Sequence, residues 1–491
     1  MIEHFEKLGR HTILYGIAKG ASALSLLILV SILTRAFSPS EYGVIELALA
    51  LVLVLGSFLM MGLDSAVAVH FYQAEGVEAR KKILPTALYF LFASSAAILV
   101  SLSVFTESLS SLVFGAAGLE MAFLFALGAA FFVVFRNLFE NVVRLHLQPL
   151  FYLAITFTQT ALLIGLVLLF TFQFNWGVEG ILGAYLLASL GAASVGFLLT
   201  FSDYLLSFSL VVFRSLVAFG FPLLFVALSE WVLHLADRLF LVYFTSPEQV
   251  GLYSLGLRIS QVILLVVGSF QLAWVPFALS IHKEKDAPHT FAHILTYFTI
   301  ATCGLALSLT VFAKEIISLI ATPLYQEAFK VVGPLSLGLV AYGSYSILAL
   351  GIMISRKTGY LAWTAGAAAL LNIVLNFLLV PRFGMVGAAL ATVTSFFVSA
   401  ILMYVISQRY YPIPFQIKKV GILWAITIVF MIAGIHIQFG SAFLTFAAKL
   451  IIPGGFLLAL FLLKIVHLSE IGLFVQLLRR IAAGSLPSNS Q

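Results

Sequence analysis

The sequence predicts an all-α, polytopic membrane protein with fourteen transmembrane helices, of which the first twelve form two parallel repeats of six. Three observations support this fold class. The composition is 62% hydrophobic and only 9% charged, the chain contains fourteen apolar stretches of spanning length, and two short phrases recur at nearly one spacing. A water-soluble domain is excluded, because such domains are about half apolar and a quarter charged.

The composition makes the lipid bilayer the solvent for most of the 491 residues, whose mean hydropathy is +1.12. The single cysteine, Cys303, excludes an internal disulfide and says little about the redox compartment. The formal net charge is +6, and the basic residues are distributed over short loops. We expect the anionic inner leaflet to be the partner of these loops, and we do not expect nucleic acid.

A transmembrane helix needs about 20 predominantly apolar residues, and this criterion defines the fourteen spans. Numbered in chain order as spans 1 to 14, they cover 12–36, 43–69, 83–106, 120–143, 149–173, 177–201, 215–244, 251–278, 290–313, 329–354, 358–380, 384–407, 420–438 and 443–466. Residues 1–11 are charged, and the apolar run after them is too long for a signal peptide. We expect a short interfacial helix that leads into an uncleaved first span.

Two phrases are duplicated. Ser38-Pro39-Ser40-Glu41-Tyr42-Gly43-Val44 returns 208 residues later as Ser246-Pro247-Glu248-Gln249-Val250-Gly251-Leu252, and Gly177-Val178-Glu179-Gly180 with Ala184 returns 207 residues later as Gly384-Met385-Val386-Gly387 with Ala391. Spans 1–6 therefore correspond to spans 7–12, and a duplicated bundle in a membrane chain suggests a transporter. Because six is even, both halves insert with the same polarity. Spans 13 and 14, within 420–466, have no counterpart.

The charges of the short loops predict the orientation, since cytoplasmic loops carry an excess of Lys and Arg. If the N-terminus is cytoplasmic, seventeen of the 26 Lys and Arg residues lie in inner segments. Four lie in outer segments, namely Lys314, Lys330, Arg382 and Lys449. Both termini are therefore predicted to be cytoplasmic, with residues 467–491 as a cytoplasmic tail.

Several phrases resemble bacterial and archaeal polysaccharide exporters. These belong to the superfamily that unites multidrug exporters with oligosaccharide-lipid flippases. The resemblance covers spans 1 to 12 and is carried by Ile32-Leu33-Thr34-Arg35-Ala36-Phe37-Ser38-Pro39 with Glu41-Tyr42-Gly43, Asp237-Arg238, Val250-Gly251-Leu252-Tyr253-Ser254, Asn376 through Pro381, Gly384, Gly387 and Ala391-Thr392.

The resemblance implies two lobes, 12–201 and 215–407, joined by a cytoplasmic linker at 202–214. They surround a central cavity that opens alternately to each side of the cytoplasmic membrane. The implied cargo is a polyprenyl-pyrophosphate-linked glycan whose lipid tail stays in the bilayer. The implied process is surface polysaccharide biosynthesis, in which a polymerase and a chain-length regulator are possible partners.

Charged groups inside a membrane are costly and usually functional. A pyrophosphate needs cations to cross oil, and arginine pairs with phosphate oxygens in bidentate fashion. We therefore expect Lys19 and Arg136 to receive the head group from inside. Arg258 and Arg238 would support it nearer the outside, and Arg35 ends span 1 at the outer surface.

These charges have a structural alternative, in which they form ion pairs within the protein. Lys19 could pair with Asp64, and Arg136 with Glu140, which lies four residues later on the same helix face. The sequence leaves the cargo and ion-pair interpretations open.

Span 7 carries a polar stripe of Glu230, His234 and Arg238, with Asp237 beside it. A Glu–His pair in the membrane could exchange protons, because histidine titrates near neutral pH. No cofactor is predicted, although coupling to H⁺ or Na⁺ remains an option. Alternatively, Asp237 and Arg238 could clamp the end of the helix to the loop before Ser246.

Asn372 and Asn376 lie one turn apart on span 11. Amide side chains within membranes commonly form hydrogen bonds between helices. We expect this pair to connect span 11 to another helix.

Three other functions compete with glycan export. A membrane glycosyltransferase or ligase would need a sizeable external segment, whereas the outer loops near 107–119 and 314–328 are short and no nucleophile or metal motif occurs. A cation-coupled drug exporter of the same superfamily would use acidic residues such as Glu230, Asp237 and Asp64. The five cations within the spans instead favour an anionic head group, which a peptidoglycan-precursor flippase would also carry.

Overall fold

The computed structural model describes residues 28–74, 77–204 and 207–465. The predicted interfacial segment 1–11, most of span 1 and the tail 467–491 lie outside these ranges. Every regular element within them is helical, and eleven helices are long and apolar enough to cross a membrane. The difference from fourteen has three sources. Span 1 is largely outside the described residues, spans 11 and 12 follow each other without a loop and are counted together as Gly359–Ser407, and span 7 contributes only the short apolar stretch Leu210–Leu224.

The first repeat is a series of long helices with short connections. Spans 2 to 6 consist of Pro39–Met60 with Leu63–Gln73, Val77–Val104, Glu120–Leu145, Pro149–Leu168 with a π turn at Leu169–Gln173, and Val178–Thr200 with a 3₁₀ turn at Phe201–Asp203. A further helix, Thr106–Phe114, lies in the predicted outer loop between spans 3 and 4.

The second half follows the same order. Spans 7 to 14 consist of Leu210–Phe244, Pro247–Ser260 with Val262–Ile281, Ala287–Val311, Phe329–Leu348 with Leu350–Ile354, Gly359–Ser407 for spans 11 and 12 together, Ile417–Ile435 and Ala442–Leu462. The predicted outer loop between spans 9 and 10 contains Ala313–Ile320 and Pro323–Ala328.

The first copy of the repeated phrase forms the start of span 2. The side chain of Ser38 accepts a hydrogen bond from the backbone N–H of Glu41, and the backbone N–H of Ser38 donates to the Glu41 carboxylate at 2.9 Å. This reciprocal capping satisfies donors that a helix end leaves unpaired. Span 2 later breaks at Met61 and Gly62, which both have positive φ angles.

Spans 11 and 12 meet at Gly384, whose φ of 54° and ψ of −133° interrupt the helix. The following backbone N–H, of Met385, donates to the side-chain carbonyl of Gln249 at 3.2 Å. Gln249 belongs to the second copy of the first phrase, and Gly384 begins the second copy of the other. The two repeated phrases of the second half therefore contact each other.

The chain divides into two compact units. Among the described residues, unit 1 comprises those up to Arg258, Ile316–Val331 and Thr358–Ser399, and unit 2 comprises Ile259–Glu315, Val332–Lys357 and those from Ala400 onward. The predicted linker 202–214 therefore falls within unit 1. The predicted lobe boundaries, 12–201 and 215–407, stay a prediction.

Unit 1 is centred on span 4, which packs against spans 2 and 6. All the contacts and cavities of the candidate site lie within this unit.

In unit 2, spans 13 and 14 pack against span 9 and against each other. Lys449 of span 14 is buried there, and its ammonium group donates to the Glu315 carboxylate at 2.6 Å. From the sequence, Lys449 counts among the basic residues of the outer segments. In the structure its ammonium group is paired with Glu315 within unit 2.

Candidate functional site

The two copies of the first phrase contact each other at the predicted outer end of spans 2 and 8. A Cβ atom on Gly43 would overlap the carbonyl oxygen of Pro247, and a Cβ atom on Gly251 would overlap that of Pro39. The contact is reciprocal, as expected for two repeats related by a twofold axis. Small residues allow helix backbones to approach this closely. The glycine of each copy is therefore explained by its contact with the other copy.

A buried carboxylate, Glu46, joins three helices about one turn after Gly43. Its oxygens accept hydrogen bonds from Arg258 Nη2 at 3.1 and 3.2 Å, from Arg258 Nε at 3.2 Å and from Arg238 Nη2 at 3.3 Å. The Tyr42 hydroxyl donates to it at 2.8 Å. The Glu46 and Arg238 side chains are 4% and 3% exposed, and that of Arg258 is 17% exposed. Two arginines therefore share one carboxylate within the spans.

Asp237 forms a second buried cluster next to this one. Its carboxylate accepts hydrogen bonds from the Tyr253 hydroxyl at 2.5 Å, the Thr392 hydroxyl at 2.5 Å and the Asn376 amide at 2.7 Å. These donors belong to spans 8, 12 and 11. Asp237 thereby ties span 7 to three other helices.

The partners of Asp237 and Arg238 differ from the predicted clamp to the loop before Ser246. Span 7 continues as a helix to Phe244, so both residues lie well inside the helix and reach neighbouring spans instead. Arg238 Nε donates to the Ser254 hydroxyl at 3.2 Å on span 8. On span 11, the Asn376 amide also donates to the Asn372 side chain at 3.0 Å, so this pair connects span 11 to span 7 through Asp237.

Sequence reasoning missed Glu46, although the signal was available. It is an acidic residue within an apolar span, seven residues after Pro39. The rule that singled out Asp64 and Glu140 applies to it equally. Its partners could not be read from the sequence, because Arg238 and Arg258 lie 192 and 212 residues away.

A second contact joins spans 2 and 7 near their predicted cytoplasmic ends. A Cβ atom on Gly220 would overlap the carbonyl oxygen of Met61, beside the break in span 2. Further along, His70 Nδ1 lies 2.8 Å from the Ala66 carbonyl, and its Nε2 lies 2.7 Å from the Ser215 hydroxyl. A carbonyl can only accept, so Nδ1 carries a proton, and Nε2 shares a hydrogen bond with the Ser215 hydroxyl.

A polar cavity of about 500 Å³ lies next to this second contact, with Gly62 in its lining, and we call it the first cavity. Its charged lining residues are Asp64, Arg136, Glu140 and Arg144, and Leu223 of span 7 forms part of the wall. Arg136 Nε lies 3.5 Å from the Glu140 carboxylate, so the i,i+4 pair considered from the sequence is formed. The two acidic and two basic side chains cancel in formal charge. They supply the cavity with both hydrogen-bond donors and hydrogen-bond acceptors.

A second cavity of about 350 Å³ lies among spans 1, 4, 5 and 6. Arg136 and Glu140 line it as well, so this ion pair stands between the two cavities. The other polar residues of its lining are Tyr152, Thr156, Gln159, Thr160 and Tyr185. None of these five was singled out by charge-based reasoning, because they are uncharged.

The remaining predicted site residues are only partly described. Arg35 is exposed at the end of span 1, and its Nη2 donates to the Leu319 carbonyl at 2.8 Å. Lys19 lies outside the described residues, and so do the side chains of Glu230 and His234. The predicted roles of these three stay predictions.

An ion pair joins two loops at the predicted cytoplasmic surface. His146 Nε2 lies 3.2 Å from the Asp203 carboxylate. The hydrogen bond to Asp203 raises the pKa of His146 above its ordinary value, against an opposing effect of burial. The His146 ring also contacts Phe71 edge-on, with ring centroids 5.4 Å apart. The pair therefore connects the ends of spans 4 and 6 to the end of span 2.

Comparison with known proteins gives one family and several relatives. A family model described as "Polysaccharide biosynthesis protein" matches residues 32–330, more than half of the chain. A probable low-salt glycan biosynthesis flippase of Haloferax volcanii is 23% identical over 199 residues, covering 40% of this chain and 42% of that protein. An uncharacterized membrane protein of Methanocaldococcus jannaschii is 25% identical over 285 residues, covering 54% of each chain. The chain thus spans about half the length of these relatives.

Solved structures with similar folds cover nearly the whole chain. The Lipid II flippase MurJ in an inward closed conformation superposes with a TM-score of 0.74 at 17% identity, covering 91% of this chain and 97% of that one. A multidrug resistance MATE transporter in an inward-facing conformation gives 0.67 at 15% identity, covering 83% and 99%. These matches confirm the predicted all-α, polytopic fold class.

Proposed function

Since this chain belongs to the family of polysaccharide biosynthesis proteins, we propose that it is a flippase for polyprenyl-pyrophosphate-linked oligosaccharides. It moves these repeat units from the cytoplasmic to the outer leaflet by alternating access, for the synthesis of a surface polysaccharide. The chain is a multi-pass membrane protein with the fold of flippases and multidrug transporters.

The observation that carries this proposal is the sharing of Glu46 by two arginines. Two guanidinium groups, those of Arg238 and Arg258, converge on this one carboxylate inside the membrane-spanning region. Arg258 is the more exposed of the two. A pyrophosphate offers the geometry that a guanidinium group binds in bidentate fashion.

This sharing also suggests how cargo and conformation are coupled. A pyrophosphate that reaches Arg258 competes with Glu46 for the same donors. Loss of the bond to Glu46 releases span 2 from span 8 next to the contact between Gly43 and Gly251. The anion would thereby open the outer side only when it has crossed most of the membrane.

The first cavity is the proposed entry site for the head group. Arg136 and Arg144 supply cations in its wall, and Lys19 is proposed as a third. The proposed orientation places both termini in the cytoplasm and the protein in the cytoplasmic membrane. Coupling to H⁺ or Na⁺ through Glu230, His234 or Asp237 belongs to the same proposal, as does assembly with a polysaccharide polymerase and a chain-length regulator.

The test is a flipping assay in proteoliposomes with a fluorescent prenyl-pyrophosphate disaccharide. The wild-type protein should move the probe between leaflets. Arg136→Gln should slow the transfer by about 10- to 150-fold, the equivalent of one charge-assisted hydrogen bond. Arg382→Gln serves as the matched control, because Arg382 is exposed near the break at Gly384. A wild-type protein that leaves the probe in its original leaflet, under conditions in which it moves another solute, would falsify the proposal.

Drug export is the second candidate, and Asp64 favours it. Its carboxylate lines the first cavity and forms no ion pair with a described residue, so a cationic ligand could bind there. The same proteoliposomes tested with ethidium distinguish the two functions. Drug export predicts ethidium movement that Asp64→Asn abolishes, whereas glycan export predicts none. Lipid II as a further probe tests the peptidoglycan-precursor alternative.

A further inference from the structure

The second cavity, among spans 1, 4, 5 and 6, has the chemistry of a small polar ligand site. It is separated from the first cavity by the Arg136–Glu140 pair, which lines both. Its volume of about 350 Å³ lies at the lower end of the range for ligand pockets, about 300–1,000 Å³. The cavity therefore suits one small group rather than a whole oligosaccharide.

Gln159 provides the first sign that a ligand belongs here. Its side chain is 7% exposed, and its amide nitrogen donates to the Ser189 hydroxyl at 3.4 Å. The carbonyl oxygen of the same amide is buried and has no hydrogen-bond partner among the described residues. Because buried acceptors in folded proteins are almost always satisfied, this oxygen is an acceptor that a donor from outside the protein, on a water molecule or a ligand, can satisfy.

Two threonines add acceptors to the same wall. The Thr156 hydroxyl donates to the Tyr152 carbonyl at 2.9 Å, and the Thr160 hydroxyl donates to the Thr156 carbonyl at 3.0 Å. Each hydroxyl proton is thus used within span 5, and the Thr160 oxygen can accept from a donor in the cavity, whereas the Thr156 hydroxyl also hydrogen-bonds with the Tyr152 side chain. An occupant rich in O–H or N–H groups fits this set of acceptors.

Donors and apolar surfaces complete the lining. The Arg136 guanidinium lines the cavity with its Nε 3.5 Å from the Glu140 carboxylate, and Tyr185 of span 6 lines the cavity as well. Leu163 and Ile164 contribute apolar surface. Acceptors, donors, an aromatic ring and aliphatic side chains in one small cavity match a sugar, whose hydroxyl edges surround C–H faces. They do not match an acyl chain, which has no hydrogen-bonding groups.

We propose that the second cavity binds the sugar that is joined directly to the pyrophosphate of the cargo. This inference rests on the proposed function. Because Arg136 and Glu140 line both cavities, a head group that parts this pair can place its phosphate against Arg136 while the adjoining sugar occupies the second cavity. Recognition of the first sugar is thereby assigned to Gln159, Thr160 and Tyr185.

Binding of defined probes to the purified protein in detergent tests the assignment. The probes are short-chain prenyl pyrophosphate without sugar and the same lipid carrying glucose, galactose or N-acetylglucosamine. The wild-type protein should bind at least one sugar-bearing probe about tenfold more tightly than the sugar-free lipid. Tyr185→Phe and Gln159→Leu should each reduce that preference by about threefold to tenfold, because each removes one hydrogen-bonding group. Affinity for the sugar-free lipid should stay unchanged in both.

Matched controls separate recognition from folding. Gln173→Leu alters an exposed glutamine at the end of the same span, and Tyr243→Phe removes a hydroxyl from an exposed tyrosine. Both should keep the wild-type preference. Tyr185→Phe retains the aromatic ring, so it keeps the test valid if Gln159→Leu fails to fold.

The outcomes separate the two proposals. Binding of all probes with equal affinity, or an unchanged preference in both cavity variants, overturns the sugar site and leaves the flippase proposal intact. Failure of the wild-type protein to bind any prenyl pyrophosphate overturns both. A loss of preference confined to the cavity variants supports the sugar site.

Discussion

The two ends of span 2 contact their neighbours with different chemistry. At the predicted outer end, the Gly43–Gly251 contact lies beside a buried cluster in which Glu46 is bonded to two arginines and a tyrosine. At the predicted cytoplasmic end, the contact at Gly220 is supported by one histidine–serine hydrogen bond, and the charged groups line a cavity. Ion pairs stabilise the outer contact, whereas the inner contact depends mainly on close packing.

This difference indicates which contact is the harder to open. Removing one partner from a buried ion pair leaves an uncompensated charge, which is far more costly than losing one hydrogen bond at an exposed position. The inner contact should therefore open by thermal motion, while the outer contact should open only when another anion replaces Glu46.

The largest effect is expected when the outer cluster loses its carboxylate. Glu46→Gln should lower the free energy of unfolding by about 3–5 kcal/mol, because Arg238 and Arg258 then lose the carboxylate that they share. Denaturant unfolding of the purified protein measures the change. Glu179→Gln is the control, since Glu179 is exposed in the first turn of span 6. Equal free energies of unfolding for Glu46→Gln and Glu179→Gln would mean that the Glu46 cluster does not stabilise the outer ends of these spans.

A smaller effect is expected from the glycines of the repeated phrase. Gly43→Ala places a methyl group against the backbone of Pro247, and overpacking of this kind costs about 1–3 kcal/mol. The outer contact should open more often, so a cysteine introduced by Val250→Cys in a Cys303→Ser background should react faster with an impermeant maleimide.

The control for this measurement is Gly165→Ala in span 5. A Cβ atom on Gly165 would meet no other atom within 4 Å. Equal labelling rates in Gly43→Ala and Gly165→Ala would contradict the proposal that close packing at Gly43 keeps the outer contact closed. Gly220→Ala sharpens the comparison, because it should leave labelling at the outer end unchanged.

The smallest effect is expected at the cytoplasmic surface, where His146 meets Asp203. Because the folded protein raises the pKa of His146, the pair stabilises the fold fully below the unfolded pKa of about 6.5. The stabilisation is lost as pH rises through the higher folded pKa. It should amount to less than about 1 kcal/mol, because the pair is partly exposed.

Melting temperatures recorded between about pH 6 and pH 9, a range that brackets the ordinary pKa of histidine, measure this effect. The wild-type protein should lose stability toward the alkaline end of the range. Asp203→Asn should flatten that dependence, and Asp286→Asn, in another predicted cytoplasmic loop, should not. Parallel curves for all three proteins would exclude a contribution from the pair.

The sequence was sufficient for the fold class, because hydropathy and the duplicated phrases depend only on local composition and spacing. The i,i+4 pair of Arg136 and Glu140 was also accessible, since its geometry is that of one helix. The partners of Asp237 were not, because Thr392 and Asn376 lie 155 and 139 residues away. Their proximity depends on how helices pack, which no local pattern encodes.

The same limit applies to both cavities. From the sequence, Gln159 is an ordinary polar residue in an apolar span. Only the structure shows that its amide nitrogen is bonded to Ser189 and that its amide oxygen has no partner among the described residues. Charge-based reasoning favours residues that are costly in a membrane, and it therefore overlooks neutral side chains that line a pocket together.

The reciprocal contact of the repeated phrase has the form of an isologous dimer interface. In a homodimer of six-span subunits, each substitution would alter the interface twice, and a carboxylate on one subunit would face its own copy on the other. Once the two halves share one chain, equivalent positions can diverge. Glu46 and Ser254 occupy positions 208 residues apart, and both bind Arg238. Because the two halves lie in one chain, an acid of the first half bonds to two arginines of the second, while the matching position of the second half holds a serine.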